Sequence, residues 1–358
     1  MFTENEEKII QFAKKPAMGP QIAVIGGGTG LSTVLRGLKL FSNNLTAIVT
    51  VADNGGSSGM LREDLGMLPP GDIRNCILAL ADTEPLMSDL LNYRFSDGRL
   101  KGQSFGNLLI AAMNAISGNF YDAVRNVSKV LAVKGRVLPV SLQDLQISAR
   151  LRDGTVIDGE TEIGHRLPTL QNDIVEISMM PSEAKALPDA IQALSMAEVI
   201  VLGPGSLYTS IIPNLLFPEI RQAIKSSRAT KIYVCNLMTQ PAETMGYNAA
   251  QHLQALLNHI GQADSKGFID YCVVNNAWID RQQIARYRLE SATPVLAERG
   301  SIEALGPRMV DVPLACINNG VIRHEHMLLA RVILRLAMEH PAQQRCMHQV
   351  PGLKRAAK

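Results

Sequence analysis

The stretch from Gln21 to Asn75 constrains this chain more than any other. It opens with apolar Ile22-Ala23-Val24-Ile25 and passes through Gly26-Gly27-Gly28-Thr29-Gly30. It then places Leu31, Val34, Leu35 and Leu38 at offsets i, i+3, i+4 and i+7. That pattern predicts strand, glycine loop and helix. Glycine lets backbone approach a ligand closely, and a helix N-terminus presents unpaired N–H groups and the positive end of a dipole. A phosphate is the natural guest. A second strand, Leu45 to Ala52, runs into Asp53-Asn54-Gly55-Gly56-Ser57-Ser58-Gly59, richer in glycine and hydroxyls than a structural loop needs. Pro69-Pro70-Gly71-Asp72 then leads into Ile73-Arg74-Asn75. Asp72 is the expected N-cap of a helix with Ile73, Cys76, Ile77 and Leu80 on one face, which sets Arg74 and Asn75 in its first turn. Three such turns predict one pocket at the carboxyl edge of a parallel sheet.

Familiar nucleotide motifs fit poorly. A G-x-G-x-x-G fingerprint would start at Gly26 and Gly28, but Leu31 stands where its third glycine belongs. Asp53 ends the second strand, where a ribose-binding acid is expected, so some dinucleotide character remains. No G-x-x-x-x-G-K-[ST] occurs, which argues against a P-loop NTPase.

Composition bounds the rest. The 358 residues, 46% hydrophobic and 19% charged, can bury a sizeable core as one large domain or two. A net charge of +2 gives no reason to invoke nucleic acid. The five cysteines are scattered, without C-x-x-C, so neither a zinc ribbon nor a disulfide framework is indicated. Residues 1–15 are polar and lack the apolar core of a signal peptide. No apolar run reaches the roughly 18 residues of a membrane span.

Further along, Ser104-Phe105-Gly106-Asn107 precedes an apolar helix, with Asn107 as cap or pocket amide. From Arg136 the character changes. Val137–Val140, Leu145–Arg152 and Thr155–Ile163 read as strands, with Asp153-Gly154 as a hairpin turn. Residues 136–180 are thus expected to form a small antiparallel insertion. The α/β alternation resumes near Pro188, and Glu198–Leu202 is followed by Gly203-Pro204-Gly205-Ser206-Leu207-Tyr208-Thr209-Ser210, a second strand–loop–helix turn able to hold an anion. Strands at Lys231–Leu237 and Phe268–Val274 end in polar loops, the first containing Asn236, Thr239 and Gln240. The expected architecture is α/β: a Rossmann-like, doubly wound, mostly parallel sheet with a small antiparallel β insertion. Its bounds are a flexible leader over 1–20, with a short amphipathic helix using Ile9, Ile10 and Phe12 as the alternative there, a nucleotide-binding domain over 21–340 and a flexible tail over 341–358. His324 and His326 are two apart and do not share a helical face, so no metal pair is expected there.

At these loops the chain resembles the CofD-like family, in its YvcK branch, the gluconeogenesis factors. The resemblance rests on Ala23–Gly30, Val51–Gly59, Pro69–Asn75, Gly203–Ser210 and Asn236–Pro241, in that order, and runs from about Gln21 to about His340. It implies a cytoplasmic bacterial protein. The namesake enzyme transfers a phospholactyl group from a guanosine diphospho precursor to a deazaflavin with magnesium. The YvcK branch implies instead binding of a nucleotide sugar such as UDP-N-acetylglucosamine, and a role in cell shape and growth on gluconeogenic carbon. It also implies a homo-oligomer and a protein partner in cell-wall precursor synthesis. Two positions depart from the branch pattern: Asn54 stands where a second Asp is common, and Ala242 where Gly is usual.

Three functions compete on this sequence. A nucleotide-sugar sensor needs only binding and a surface that responds to it. A transferase needs charge neutralisation at a diphosphate, which Arg74, the glycine-loop amides and Mg2+ on Asp53 could supply. An NAD-dependent oxidoreductase needs a hydride-side group that the sequence does not mark. No Ser-His-Asp set, activated cysteine or clear paired carboxylates stand among the loops, so the sensor is preferred.

Overall fold

The computed structural model describes residues 3–82, 84–167, 173–261 and 265–339. Seven strands form one parallel sheet: β1 Ile22–Gly26, β2 Leu45–Val49, β3 Arg136–Pro139, β7 Val199–Leu202, β8 Thr230–Val234, β9 Tyr271–Asn275 and β10 Arg308–Val312, in the order β3-β2-β1-β7-β8-β9-β10. All five residues of β1, β2 and β8 are buried, as apolar strands covered by helices on both faces must be. The chain winds outward in one direction from β1 to β3 and in the other from β7 to β10. The reversal falls between β1 and β7, where Ile22 pairs with Leu45 on one side and Val199 on the other. That register sets the loops after β1 and β7 side by side, the crevice where doubly wound folds bind ligands.

The helix Gly28–Leu38 buries Leu31, Val34, Leu35 and Leu38, the predicted stripe. Each such burial contributes about 1.5–3 kcal/mol. It packs against the helices Gly71–Leu80 and His326–Glu339. A second sheet, β5-β4-β6 (Val156–Asp158, Gln146–Leu151 and Ile174–Met180), is the antiparallel insertion, with Asp153-Gly154 at its turn. A hairpin, β11 Ala315–Asn318 with β12 Val321–His324, completes the set. No described helix is long and apolar enough to cross a membrane.

Several boundaries differ from the sequence expectation. Arg136–Pro139 belongs to the parallel sheet as β3, not to the insertion, because its apolar run is buried against β2. Glu160–His165 is helical where a strand was expected, its start fixed by a contact with Asn54 that sequence cannot show. The leader is not structureless: Glu4–Lys14 is a helix with a Thr3/Glu6 capping box, and its buried Ile9 faces the helix His326–Glu339. β10 was not predicted, since its burial is interrupted by exposed Arg308 and Asp311. The tail 341–358 lies outside the described residues.

Candidate functional site

The loops after β1, β7 and β8 meet in a cavity of about 340 Å³, lined by Gly27, Gly28, Thr29, Gly30, Pro204, Gly205, Ser206, Asn236, Thr239 and Gln240. All ten were expected from sequence; Gly26 is the last residue of β1 beneath them. The two loops touch so closely that a Cβ at Gly30 would lie 2.3 Å from the Pro204 carbonyl oxygen. Gly28 has φ +64, the left-handed region that glycine enters without strain. The third loop fixes the second. Asn236 donates to the Gly205 carbonyl at 2.9 Å and accepts from its N–H at 3.2 Å, and Gln240 donates to the Ser206 hydroxyl at 2.7 Å. Thr239 is held by Thr293, whose N–H donates to its hydroxyl at 2.9 Å. The Gln240 Oε1 is buried and without a partner among described groups.

The hairpin β11–β12 contributes what sequence reading missed. Ile322, Arg323 and His324 line the same cavity, as does Tyr287. Arg323 is exposed and forms no ion pair with a described residue. His324 is buried with its Nε2 3.1 Å from the Cys235 carbonyl, and burial lowers its pKa to about 4, so the ring is neutral at pH 7. Arg323 therefore supplies the formal positive charge in a wall whose other lining side chains are uncharged. The only sequence signal was its place just before an apolar helix.

The remaining predicted residues fall into two other groups. On the β2 side, the Gly55 N–H donates to the Asp53 carboxylate at 2.9 Å. Asp72 is not a cap, because Pro70 occupies that position; its carboxylate instead reaches the first loop, 2.4 Å from where a Gly27 Cβ would stand. Burial first, then the Asp53 charge, push the Asp72 carboxyl up to about 7. Glu160, on the insertion helix, is pushed up to about 8 by burial and then by Asp53 and Asp72. The structure thus brings together three carboxylates that the sequence keeps far apart. None of them is in an ion pair with a described residue.

Arg74 lies beside this acidic group but is engaged elsewhere: it donates to the Ser104 hydroxyl at 2.5 Å and to Asn75 Oδ1 at 2.9 Å. Gly106 makes room for it, since a Cβ there would sit 2.7 Å from the Arg74 Cδ. Phe105, at the start of the same helix, is partly buried against the core.

The third group is scaffold. The Ser57 hydroxyl donates to Gln103 at 2.7 Å and accepts from the Ser104 N–H and the Asn107 amide, so it is fully used. Ser58 accepts from the Gly71 N–H at 3.1 Å. Gly56 opens the helix Gly56–Leu65, which buries both serines in its first turn. Tyr208 and Thr209 are correctly placed in sequence but lie beneath the cavity, 1% and 2% exposed, in a wide π-type turn over Leu207–Ile211. Glu243, not singled out by sequence, holds both: it accepts from the Tyr208 N–H and the Thr209 hydroxyl, each at 2.8 Å.

Asn54 serves the insertion. Its Oδ1 accepts from the Thr161 N–H at 2.8 Å and its Nδ2 donates to Glu162 at 3.1 Å. Both ends of the amide are occupied, so Asn54 acts here as a tether that holds Glu160 near Asp53. Asn54→Ala is expected to loosen the helix Glu160–His165 by about 1–2 kcal/mol, the scale of a lost N-terminal partner. Hydrogen exchange should show faster amides at 160–165 with β1 and β2 unchanged; equal protection in both would contradict the tether.

Among the described residues no group of three or more His, Cys, Asp or Glu side chains is arranged to hold a metal. Magnesium asks less of a protein: one or two carboxylates, with ligand phosphates and water completing the shell. Asp53 and Asp72 fit that requirement, their mutual repulsion being what a divalent cation would relieve.

Fold and crevice together define a doubly wound α/β protein with a glycine-lined cavity at its topological switch point. The comparisons narrow this. Residues 22–315 match the family model described as 2-phospho-L-lactate transferase CofD. The chain is 45% identical over 321 residues to the gluconeogenesis factor of Bacillus subtilis, covering 89% of this chain and 99% of that one. It is 39% identical to the gluconeogenesis factor of Listeria innocua, covering 88% and 95%. A crystal structure of a UPF0052 family protein from Bacillus halodurans superposes with a TM-score of 0.83 at 44% identity, over 87% of this chain and 99% of that one. The chain belongs to the CofD family, among relatives named gluconeogenesis factor.

Proposed function

We propose that the protein binds a nucleotide diphosphate of the nucleotide-sugar class, such as UDP-N-acetylglucosamine, in the cytoplasm and acts as a regulator. The observation that carries this is the convergence of the loops after β1, β7 and β8, with Arg323, on one small cavity. The diphosphate sits between Gly27–Gly30 and Gly205–Ser206, meeting the first N–H groups of the helix Gly28–Leu38 and the positive end of its dipole. Arg323 neutralises its charge from the hairpin side. Asp53 and Asp72 hold magnesium against it or accept from sugar hydroxyls. Magnesium, when bound, neutralises phosphate charge. These contacts favour the bound anion whether or not it reacts, which gives affinity without turnover. The name of the relatives, gluconeogenesis factor, supports a place in carbon supply; a protein partner in cell-wall precursor synthesis and a homo-oligomeric form are further parts of the proposal.

A second reading is favoured by one specific observation. The carboxylates of Asp53, Asp72 and Glu160 form the cluster that was absent from the sequence reading, and the family model carries a transferase description. Under that reading an acceptor hydroxyl attacks the phosphorus distal to the nucleoside, its proton passes to the ionised fraction of Glu160, whose raised pKa of about 8 makes it the stronger base, and the P–O bond to the nucleoside monophosphate breaks as that group leaves.

Arg323→Ala is expected to weaken UDP-N-acetylglucosamine by roughly 10- to 100-fold, the loss of a charge-assisted hydrogen bond, with the melting temperature unchanged because the side chain is exposed. Calorimetry checks it; unchanged affinity would remove the cavity from consideration. Mass spectrometry of the nucleotide sugar, incubated with stoichiometric protein and magnesium with and without a deazaflavin acceptor, separates the readings. Intact ligand supports the regulator. Release of UMP or a new phosphodiester, lost in Glu160→Gln, supports the transferase.

A further inference from the structure

A second and larger cavity, about 760 Å³, lies over the carboxyl ends of β9 and β10. It is separated from the glycine-loop cavity by a thin partition. The segment Thr293–Val295 runs against Leu237–Thr239: Met238 bridges Pro294, and the Val295 N–H donates to the Leu237 carbonyl at 3.0 Å. Met238 and Thr239 line the first cavity, Pro294 and Val295 the second. The helix Arg281–Leu289 spans both in the same way, with Tyr287 on the first and Ile284 and Arg288 on the second. None of the nine residues of that helix is buried.

The two flanks of the crevice differ in chemistry. Toward β2 stand Asp53, Asp72 and Glu160, which suit hydroxyls or a cation. Toward β9 stands Trp278, the only tryptophan of the chain, 77% exposed at the rim of an apolar wall. Arg281 and Arg288 line the same cavity and form no ion pair with a described residue. A nucleotide sugar has three parts in a row: a hydroxyl-rich ring, an anionic bridge and a planar base. The volume is within the roughly 300–1,000 Å³ typical of small-molecule sites. Exposed tryptophan and arginine are the side chains on which a base stacks.

We infer that the nucleobase of the bound nucleotide occupies the Trp278 cavity, with the sugar on the Asp53 side. The inference rests on the glycine-loop cavity being the diphosphate site. In this placement Asp53, which ends β2 where a dinucleotide fold would carry a ribose-binding acid, faces the sugar ring. The base lies against the Trp278 ring, the diphosphate crosses over the Met238–Pro294 partition, and the Arg281–Leu289 helix covers the junction.

The sole tryptophan makes the test direct. UDP, GDP, pyrophosphate and N-acetylglucosamine are titrated separately, with calorimetry for binding and intrinsic fluorescence for Trp278. The expected result is a change in emission with UDP or GDP and none with pyrophosphate or the sugar alone. Trp278→Leu is expected to weaken the nucleotides by roughly 5- to 50-fold, with Trp278→Phe recovering part of the loss and pyrophosphate unaffected by either. Nucleotide binding with unchanged emission and unchanged affinity in Trp278→Leu overturns this placement and leaves the diphosphate site standing. Pyrophosphate binding as tightly as UDP does the same. Failure of pyrophosphate and both nucleotides to bind overturns the diphosphate site itself, and the base placement with it.

Discussion

Gly30→Ala should separate the loops after β1 and β7 and, if the proposed diphosphate site is correct, cost most of the nucleotide affinity. The added Cβ would stand 2.3 Å from the Pro204 oxygen, 2.8 Å from the Pro204 carbonyl carbon and 3.1 Å from the Gly205 Cα. All three are backbone atoms, so no side chain can rotate away and one loop must move. Overpacking of this kind costs about 1–3 kcal/mol. The effect on binding is larger, because a diphosphate held from both sides loses contact with one of them. At about 1.5–3 kcal/mol for each charge-assisted hydrogen bond, loss of two amounts to roughly 10² to 10⁴ in affinity. Calorimetry with UDP-N-acetylglucosamine, alongside thermal unfolding, measures both. Near-normal affinity in a folded Gly30→Ala protein would mean that the two loops do not grip one ligand.

The second large effect is expected beneath the site. Glu243 is 4% exposed, and desolvation raises its carboxyl pKa. Glu243→Ala leaves the Tyr208 N–H and the Thr209 hydroxyl without their acceptor, at about 1–3 kcal/mol for each buried orphan. A total of about 3 kcal/mol is expected, with the π-type turn and the Ser206 loop above it loosened together. Glu243→Gln keeps an acceptor for the Tyr208 N–H and offers its amide to Thr209, so it should remain close to the parent. The pH dependence carries the sign. Because the folded pKa lies above the unfolded one, the proton bound by Glu243 stabilises the fold fully below the unfolded value near 4.5. That contribution is lost as pH rises through the raised value. Denaturant titrations across this window should show parent stability falling relative to Glu243→Gln. Parallel curves would show that Glu243 does not titrate there.

The meeting of the glycine loops at one crevice was legible in the sequence because its signals are local. Gly26–Gly30 and Gly203–Ser206 each sit between an apolar run and an apolar helical stripe, and a parallel sheet places such turns at one edge. The acidic flank was half legible: Asp53 and Asp72 were visible as residues, but their approach depends on the packing of the helices Gly28–Leu38 and Gly71–Leu80. Glu160 was read as part of a strand, since only the hydrogen bond from Thr161 to Asn54, across 107 positions, sets the helix there. Arg323 was missed because it comes from a hairpin far along the chain, with nothing in its neighbours to mark a ligand. Ser57, Asn107, Tyr208 and Thr209 looked like ligand groups because hydroxyls and amides near glycines serve scaffold and site alike. Burial decides between the two roles, and burial is a tertiary property.

The amide at position 54 also has a meaning for the history of the family. Its Nδ2 gives a hydrogen to Glu162 while its Oδ1 takes one from Thr161. An aspartate there could keep the second bond but would face Glu162 as a like charge. Residues 54 and 162 should therefore change together: lineages with Asp at the first are expected to carry a neutral donor or a cation at the second, whereas Asn and Glu travel as a pair.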